Sequence, residues 1–324
     1  MAAIVEASAL THRTQTSAWP DGRPFALFLS HDIDQIHDRE LFRILADINH
    51  IRRLLLNHER GSLGHAARRV MRALTRPKCA EADFQTMLDL EGRHSFRSTW
   101  FLLHDHYWAR HGSRYSFVCP EIQAICRRLL AAKGELGIHG GYYRFNNPVL
   151  YRDSIDAVEQ HFGVRPAGIG NHLLRFSVPD TWRAQQQAGL VYDATYAQPR
   201  HLGPLENHHF PFYAYDPQPG HPINILEFPI TIMDATVFRY HQLSGQAALD
   251  AAWSAIAPTI AAGGLVSLLW HNNYFNEPEY RDWQMVYEKL LEKLALRNPW
   301  CATGKEINDW WRAQHPFASP VPQR

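Results

Sequence analysis

Short apolar runs, separated by segments of helical period, organise this chain. Buried strands are predicted for Phe25–Leu29, Ser98–Leu103, Glu135–Ile138, Ile223–Phe228 and Leu265–Trp270. Between them, apolar residues recur at intervals typical of helices, which are predicted for Pro120–Ala132, Tyr151–Phe162, Pro179–Ala188 and Ala247–Ala261. Because strands that alternate with helices favour a mainly parallel sheet or a barrel, we expect an α/β fold.

One region departs from this alternation. Residues 39–76 are basic and have a helical pattern, which predicts a helical insertion after the first strand. The insertion covers a site, binds a partner or packs on the body with a solvated basic face. We expect one domain over residues 23–315, an N-terminal extension over 1–22 and a tail over 316–324. A helix and a short tryptophan-rich helix between Glu277 and Trp311 are expected to close the domain.

Composition narrows the class of protein further. Lys and Arg (33) nearly balance Asp and Glu (32), so no overall field favours nucleic acid or an anionic membrane. The four cysteines form no CxxC pair and are expected to be reduced thiols. The first 20 residues do not resemble a secretory signal, and no apolar run approaches the roughly 20 residues that cross a bilayer. These features favour a cytoplasmic protein.

Two carboxylates end the first predicted strand. In FALFLSHDID, Asp32 and Asp34 lie two residues apart, so on an extended chain both side chains lie on one face. One carboxylate could hold a divalent cation while the other takes a proton from water. Alternatively, they are turn residues that cap the next helix.

Histidines occupy three later positions where strands end. His139 enters a Gly-Gly turn, His172 lies in the glycine-containing loop GIGNHLLRF, and His271 follows the apolar run LVSLLW. In a parallel α/β fold, functional groups gather at the carboxyl ends of the strands. A lone histidine at such a position is more often structural. Acids at the first strand end together with histidines at later ones indicate metal-assisted hydrolysis.

With these motifs in place, the chain resembles the polysaccharide deacetylase family, the NodB-homology carbohydrate esterases. Ser30–Asp34 matches the branch whose first motif is S-H-D-x-D, and the likeness spans about Arg23 to Asn273. KGELGIHGGYYRF is similar to the family segment G-H-E-I-G-x-H, and LVSLLWHNN is similar to the motif with the last histidine. The resemblance implies a distorted (β/α) barrel of about seven strands.

The resemblance also implies a reaction and its residues. The family hydrolyses an N-acetyl, occasionally an O-acetyl, group with a divalent metal, here expected to be zinc, with cobalt, nickel or iron as alternatives. Asp32 would be the general base that deprotonates the metal-bound water, and Asp34 a metal ligand. His139 would be the first metal histidine, and His271 the general acid that protonates the leaving amine.

Two positions depart from the family pattern. The family has a second metal histidine four residues after the first, where this chain has Tyr143, and a neutral phenol is a poor zinc ligand. His172 is the first candidate replacement and His271 the second, unless the metal is weakly held or lost. Gly170 stands where this branch often has an arginine, so Arg165 and Arg175 are the candidates for orienting the catalytic Asp.

Further residues have a functional and a structural interpretation. Asp234 either supports a histidine or arginine through a hydrogen bond or caps a helix. Asn272 either binds substrate or belongs to a turn. Trp270, with Trp100 and Tyr142, either forms a wall on which a sugar stacks or packs in the core.

The leading hypothesis is therefore a metal-dependent deacetylase that acts on an N-acetylated sugar or a sugar-containing intermediate. An alternative is an inactive barrel that binds carbohydrate or joins a complex, which the tyrosine at position 143 favours. A further alternative is a hydrolase of the same fold that acts on a non-sugar amide or a cyclic amide. No nucleic acid partner is expected.

Overall fold

A computed structural model describes residues 17–36, 80–105, 111–113, 115–217, 220–275 and 280–318, with scattered positions between 37 and 79. The helical insertion predicted for 39–76 lies for the most part outside the described residues. The positions described there, between Leu45 and Met71, have helical backbone.

The described strands form one sheet. They are β1 (Ala26–Ile33), β2 (Ser98–Leu103), β3 (Glu135–Gly140), β4 (Gly168–Asn171), β5 (Tyr192–Asp193), β6 (Phe212–Asp216), β7 (His221–Glu227), β8 (Ile232–Met233), β9 (Leu265–Leu269) and β10 (Trp300–Cys301). Their order is β6-β7-β5-β4-β3-β2-β1-β9-β8, with β10 beside the start of β1. β6 and β7 are antiparallel, and the other neighbouring pairs are parallel.

This sheet curls into an open, distorted barrel. Its edge strands β6 and β8 do not pair with each other within the described residues, so the barrel is not closed. The mainly parallel α/β architecture predicted from the sequence is confirmed. The sheet has ten strands, more than the about seven that the resemblance implied, and β6, β8 and β10 are among those that no apolar run had indicated.

Seven described helices follow or precede these strands. They are α1 (Ala80–Gly92), α2 (Pro120–Ala131), α3 (Pro148–Phe162), α4 (Asp180–Ala188), α5 (Gly245–Ala261), α6 (Arg281–Ala295) and α7 (Gly304–Gln314). Their ends follow local chemistry: the Asn147 side chain accepts the backbone N–H groups of Val149 and Leu150 at the start of α3. The predicted helices are confirmed with shifts of a few residues at their ends.

The side chains of β1 alternate between two apolar cores. Leu27 and Leu29 face the core between the sheet and the helices, whereas Ala26 and Phe28 face the core inside the barrel. Since both faces are covered, all eight residues of the strand are buried. The same alternation directs Asp32 towards the barrel interior and the neighbouring His31 towards the helices.

β1 is longer than the sequence predicted. The expected strand ended at Leu29, but pairing with β2 continues from Leu29↔Ser98 to Ile33↔Leu102. The polar residues of this extension lie within a hydrogen-bonded ladder and not in a turn. As a consequence, Asp32 is held rigidly at the mouth of the barrel.

Candidate functional site

Polar side chains from four strand ends meet at the carboxyl mouth of the barrel. Asp32 is in β1 and Asp34 follows it, His139 is in β3, His172 follows β4, and His271 follows β9. The adjacent positions of β1, β2, β3 and β4 in the sheet bring together residues that are far apart in sequence. The predicted catalytic and metal-binding residues therefore form one site.

Asp34, His139 and His172 form a compact group of potential metal ligands. His139 Nε2 lies 3.0 Å from His172 Nδ1 and 3.3 Å from Asp34 Oδ1. The third side of the triangle, from His172 Nδ1 to Asp34 Oδ1, measures 3.0 Å. The histidine from the β4 loop thus stands beside the first metal histidine, where the sequence suggested a replacement for Tyr143.

The hydrogen bonds of this group are suited to holding a cation. His139 Nδ1 donates to the Gly170 carbonyl at 2.7 Å, which leaves Nε2 as a lone-pair donor atom facing the other two groups. The three facing atoms, His139 Nε2, His172 Nδ1 and Asp34 Oδ1, can share a proton or bind a metal. Tetrahedral zinc, bound at about 2.0–2.1 Å, separates its ligand atoms by about 3.3 Å, close to the observed triangle. The residues present therefore fit a divalent metal.

A strained turn delivers His172. The next two residues, Leu173 and Leu174, have φ angles of +57° and +52°, in the left-handed region that β-carbon sterics disfavour. Each such conformation costs about 1–3 kcal/mol, which the surrounding structure must offset. The turn follows β4 directly, and the His172 ring lies 5.0 Å from the His139 ring, measured between centroids.

The charges of the group reinforce one another. Burial by itself would raise the pKa of Asp34, but the charge of His172 and the close approach of both imidazoles hold that pKa well below its usual value. Burial would lower the pKa of His139, but Asp32 and Asp34 raise it. A bound cation would take the place of the proton that this negative field attracts.

Asp32, His271 and Asp234 form a second set of groups beside the first. Asp32 Oδ2 lies 3.6 Å from His139 Nε2 and 3.9 Å from His271 Nε2. His271 Nδ1 donates to Asp234 Oδ1 at 2.8 Å, and the His271 backbone N–H donates to Asp234 Oδ2 at 2.7 Å. Asp234 therefore supports His271, as one interpretation of the sequence had it, and also accepts the N–H of Ala235.

Burial raises the pKa of Asp32, although His139 and His271 partly oppose this effect. Its Oδ1 atom has no hydrogen-bond partner among the described residues. A β-carbon on Gly170 would lie 3.6 Å from this oxygen, so glycine at this position leaves open the approach that a side chain would take. A carboxylate with an elevated pKa and one free oxygen is suited to accept a proton from a bound molecule.

Neither arginine proposed to orient the catalytic Asp does so. Arg165 pairs with Asp156 and Glu159 on the surface, because its loop enters β4 at the opposite end of the barrel. The Arg175 guanidinium stacks 4.2 Å from the Tyr142 ring centroid and donates to the Tyr142 carbonyl. The charges that act on Asp32 come mainly from histidines.

For two other sets of residues, the contacts agree with the structural one of the two interpretations that the sequence left open. Trp270 and Trp100 are fully buried on the helix side of the sheet, so they cannot form a wall on which a sugar stacks. Asn272 is buried and its amide donates to the Gln35 carbonyl at 3.2 Å, which ties the loop after β9 to the loop after β1. Its role in the structure is that of a turn residue.

The rim of the site contains a residue that the sequence did not indicate. The His111 ring lies 4.4 Å from the Tyr142 ring and 6.2 Å from the His172 ring, measured between centroids. Tyr143 also lies at this rim with 52% of its surface exposed, away from the ligand triangle. His111 follows β2 in an irregular segment without a strand-end pattern, so no local signal distinguished it.

Comparisons with known proteins bear on the fold. No protein-family model and no curated protein matches the chain. Among solved structures, Puue allantoinase is 15% identical with a TM-score of 0.62, covering 94% of this chain and 96% of its own. A "probable polysaccharide deacetylase" from Pseudomonas aeruginosa PAO1 is 15% identical with a TM-score of 0.60, covering 93% and 96%.

These likenesses show that the chain has the fold of the polysaccharide deacetylases, as the sequence resemblance predicted. The narrower assignment to an S-H-D-x-D branch stays a prediction. None of the helices in the described part of the chain is both long and apolar enough to cross a membrane.

Proposed function

We propose that this protein is a metal-dependent hydrolase that removes an N-acetyl group from a sugar or a sugar-containing intermediate. The observation that carries the proposal is the triangle of Asp34, His139 and His172 beside a second pair, Asp32 and His271. A scaffold that only binds carbohydrate needs neither the triangle of potential metal ligands nor the acid–base pair at the mouth of the barrel.

The residues divide the reaction between them. Asp34, His139 and His172 would hold a divalent cation, zinc being the first candidate, and the cation when bound would polarise the acyl carbonyl. Asp32 takes a proton from the attacking water through the carboxylate that faces the triangle. His271 then donates a proton to the leaving nitrogen, so that the products are a carboxylic acid and a free amine.

A small apolar cluster supports a short acyl group. Ile230, just before β8, packs with Met233 and Leu269, the last residues of β8 and β9, and Leu174 from the β4 loop lies against them. This cluster adjoins the segments that carry Asp234 and His271 in the chain. A methyl group would gain about 0.8 kcal/mol on leaving water for such a surface.

The exposed rim supports a sugar as the remainder of the substrate. Tyr143 is half exposed, and its ring lies 5.1 Å from that of Tyr142 in an edge-on arrangement. Exposed aromatic rings beside a polar site suit the apolar face of a pyranose. We therefore assign Tyr143 to substrate binding in place of metal binding.

A second candidate function is hydrolysis of a cyclic amide. It is favoured by the likeness in fold to Puue allantoinase, at a TM-score of 0.62. The same base and acid would open a ring amide, with both products remaining in one molecule. The two candidates differ in substrate and not in the groups that act.

Metal content tests the proposed site first. Wild type, His172→Ala and Tyr143→Ala are incubated with zinc, desalted and subjected to elemental analysis. We expect about one zinc per chain in wild type and Tyr143→Ala, and loss of most of it in His172→Ala. Tyr143→Ala is the matched control, because it alters the family's usual histidine position without touching the triangle. Full zinc retention in His172→Ala would contradict the site.

A substrate panel tests the reaction. Release of acetate from N-acetyl sugars by zinc-loaded wild type, absent in Asp32→Asn, would support the deacetylase. Ring opening of cyclic ureides or imides without acetate release would favour the second candidate. A zinc-loaded wild type that acts on neither set would favour the inactive, carbohydrate-binding barrel.

A further inference from the structure

A buried imidazole lies directly behind the site, one residue before the proposed base. We propose that His31 is a positioning residue that holds the end of β9 against β1 and so sets the distance between Asp32 and His271. This inference rests on the proposed function of those two groups. It concerns a side chain that contacts neither the metal triangle nor the open cleft.

His31 joins two strands to the helix layer. Its Nδ1 donates to the Trp270 carbonyl at 2.7 Å, and its Nε2 lies 2.8 Å from Glu91 Oε1. The His31 ring is fully buried and lies 4.2 Å from the Trp100 ring, centroid to centroid. Because both ring nitrogens are engaged and the ring is covered, the orientation of the imidazole is fully determined.

Glu91 is itself held by further hydrogen bonds. Its Oε1 accepts the Tyr287 hydroxyl at 2.7 Å, and its Oε2 accepts the Ser98 hydroxyl at 2.6 Å. These partners come from α6 and from the start of β2, and all are buried. The carboxylate is thus a fixed anchor for His31.

The contact with Trp270 continues the sheet where the main chain stops. The ladder between β1 and β9 ends at Ser30↔Leu269, with a last bond from the Trp270 N–H to the Ser30 carbonyl at 3.0 Å. The next carbonyl, that of Trp270, accepts the His31 side chain. The imidazole therefore secures the strand end at the point where the strands separate to form the cleft.

Stability alone does not account for this pair. The other side chains that β1 directs to the helix layer are Leu27, Leu29 and Ile33, all apolar. Replacing a buried polar or charged pair by well-packed apolar groups is often neutral or stabilising. A histidine here, bonded to the carbonyl immediately before His271, is better explained by what it positions.

The distance that His31 would control is short and functional. His271 Nε2 and Asp32 Oδ2 lie 3.9 Å apart across the β1–β9 boundary. Misplacing a reacting group by about 1 Å can cost about 100-fold in rate. Loss of the His31 contact would allow the Trp270–His271 segment to move away from β1.

The first test compares His31→Leu with Tyr287→Phe, in zinc-loaded protein acting on the substrate found in the panel. His31→Leu should lower kcat about 10- to 100-fold, with KM and zinc content near wild type. Tyr287→Phe is the matched control, because it removes an equally buried bond to the same carboxylate but leaves Glu91 held by Ser98 and in contact with His31, and it should change kcat less than about threefold. Wild-type kcat in His31→Leu would overturn the proposal.

Variants of Glu91 test the same proposal if His31→Leu does not fold. Glu91→Gln keeps an acceptor for His31 and should retain most of the activity, whereas Glu91→Leu removes the anchor and should lower kcat as His31→Leu does. Equal activity in the two Glu91 variants would contradict the positioning role.

A readout independent of activity separates this inference from the proposed function. Amide hydrogen exchange at Trp270 and His271 should be faster in His31→Leu than in wild type and unchanged in Tyr287→Phe. If wild type acts on no substrate, the proposed function fails, but this measurement still tests the positioning role of His31. Unchanged exchange at both amides in His31→Leu would overturn it.

Discussion

At His271, burial and a carboxylate act on one imidazole in opposite directions. Burial alone would lower its pKa, but the charge and hydrogen bond of Asp234 raise the pKa to about 10, with smaller contributions from Asp34 and Asp32. The ring therefore carries two protons at neutral pH, which is the form a general acid needs. Activity that depends on this proton is present below the pKa of His271 and is lost as pH rises through it.

Asp234→Asn tests this account. The variant keeps an acceptor for His271 but removes the charge, so the pKa of His271 should fall. The alkaline limb of kcat/KM against pH should then move to lower pH, by about one unit or more. The exposed change Asp309→Asn, on α7, should leave the profile unchanged and serves as the control. An unmoved alkaline limb in Asp234→Asn would show that Asp234 does not set the proton affinity of His271.

Single positions could be singled out from the sequence where the residue type carries the chemistry. Asp32, Asp34, His139 and His271 were singled out from the sequence because acids and imidazoles at strand ends are uncommon in a buried sheet. Arg165 was misjudged because a charged residue near a motif in sequence can lie at the other end of a barrel in space. The roles of Asp32, Asp34, His139 and His271 in the reaction remain predictions.

At the scale of elements, a local capping motif fixes the start of one helix. Thr303 begins α7 with a capping box, in which its hydroxyl accepts the Glu306 N–H and the Glu306 carboxylate accepts the Thr303 N–H. Ser244 occupies the same position at α5 but makes no side-chain capping bond. The two helices offer a direct comparison of a formed cap with an unformed one.

Thr303→Ala should therefore lower the free energy of unfolding by about 1 kcal/mol, whereas Ser244→Ala should lower it by clearly less. Urea unfolding of both variants, followed by circular dichroism, measures the difference. Equal losses in the two variants would mean that the capping box of α7 contributes no stability of its own.

The ends of strands were harder to predict from the sequence than those of helices where polar residues continue the hydrogen-bonded ladder. β1 continues through Ser30, His31 and Asp32, which in sequence are typical of a loop. Their hydrogen bonds come from β2, a neighbour that lies more than 60 residues later in the chain. β5, β8 and β10 have two residues each, too short for any periodic signal.

At the scale of the whole molecule, buried acids away from the site make stability depend on pH. Burial raises the pKa of Glu135 to about 7, although it accepts hydrogen bonds from Thr99, Tyr192 and Lys305. Burial likewise raises the pKa values of the adjacent carboxyls Asp193 and Glu227. A carboxyl with a raised pKa in the folded state favours folding at low pH, and that contribution is lost as pH rises.

Glu135→Gln measures this effect at one position. The free energy of unfolding of the variant relative to that of wild type should increase as pH rises from 5 to 8. The increase should be on the order of 1–2 kcal/mol, because glutamine has no charge to bury. Urea unfolding at both pH values gives the difference. The exposed change Glu292→Gln, at a residue paired with Lys289, should show no such trend. The raised pKa of Glu135 would be contradicted if the difference in free energy of unfolding between Glu135→Gln and wild type were the same at both pH values.

The alternation of strands and helices could be inferred from the amino-acid sequence alone, and with it the parallel sheet and the end at which functional groups collect. This was possible because apolar period and helix punctuation are local properties of the chain. It also supplied the candidate acids and histidines, since their residue types are visible without a fold.

Which of these residues meet became known from the folded chain. His172 completes the triangle because β3 and β4 are neighbours in the sheet, and its ring lies beside that of His139. Tyr143 is placed at the exposed rim. His31 became significant only when β1 and β9 were seen side by side. Contacts of this kind depend on strand order and side-chain direction, which no local stretch of sequence encodes.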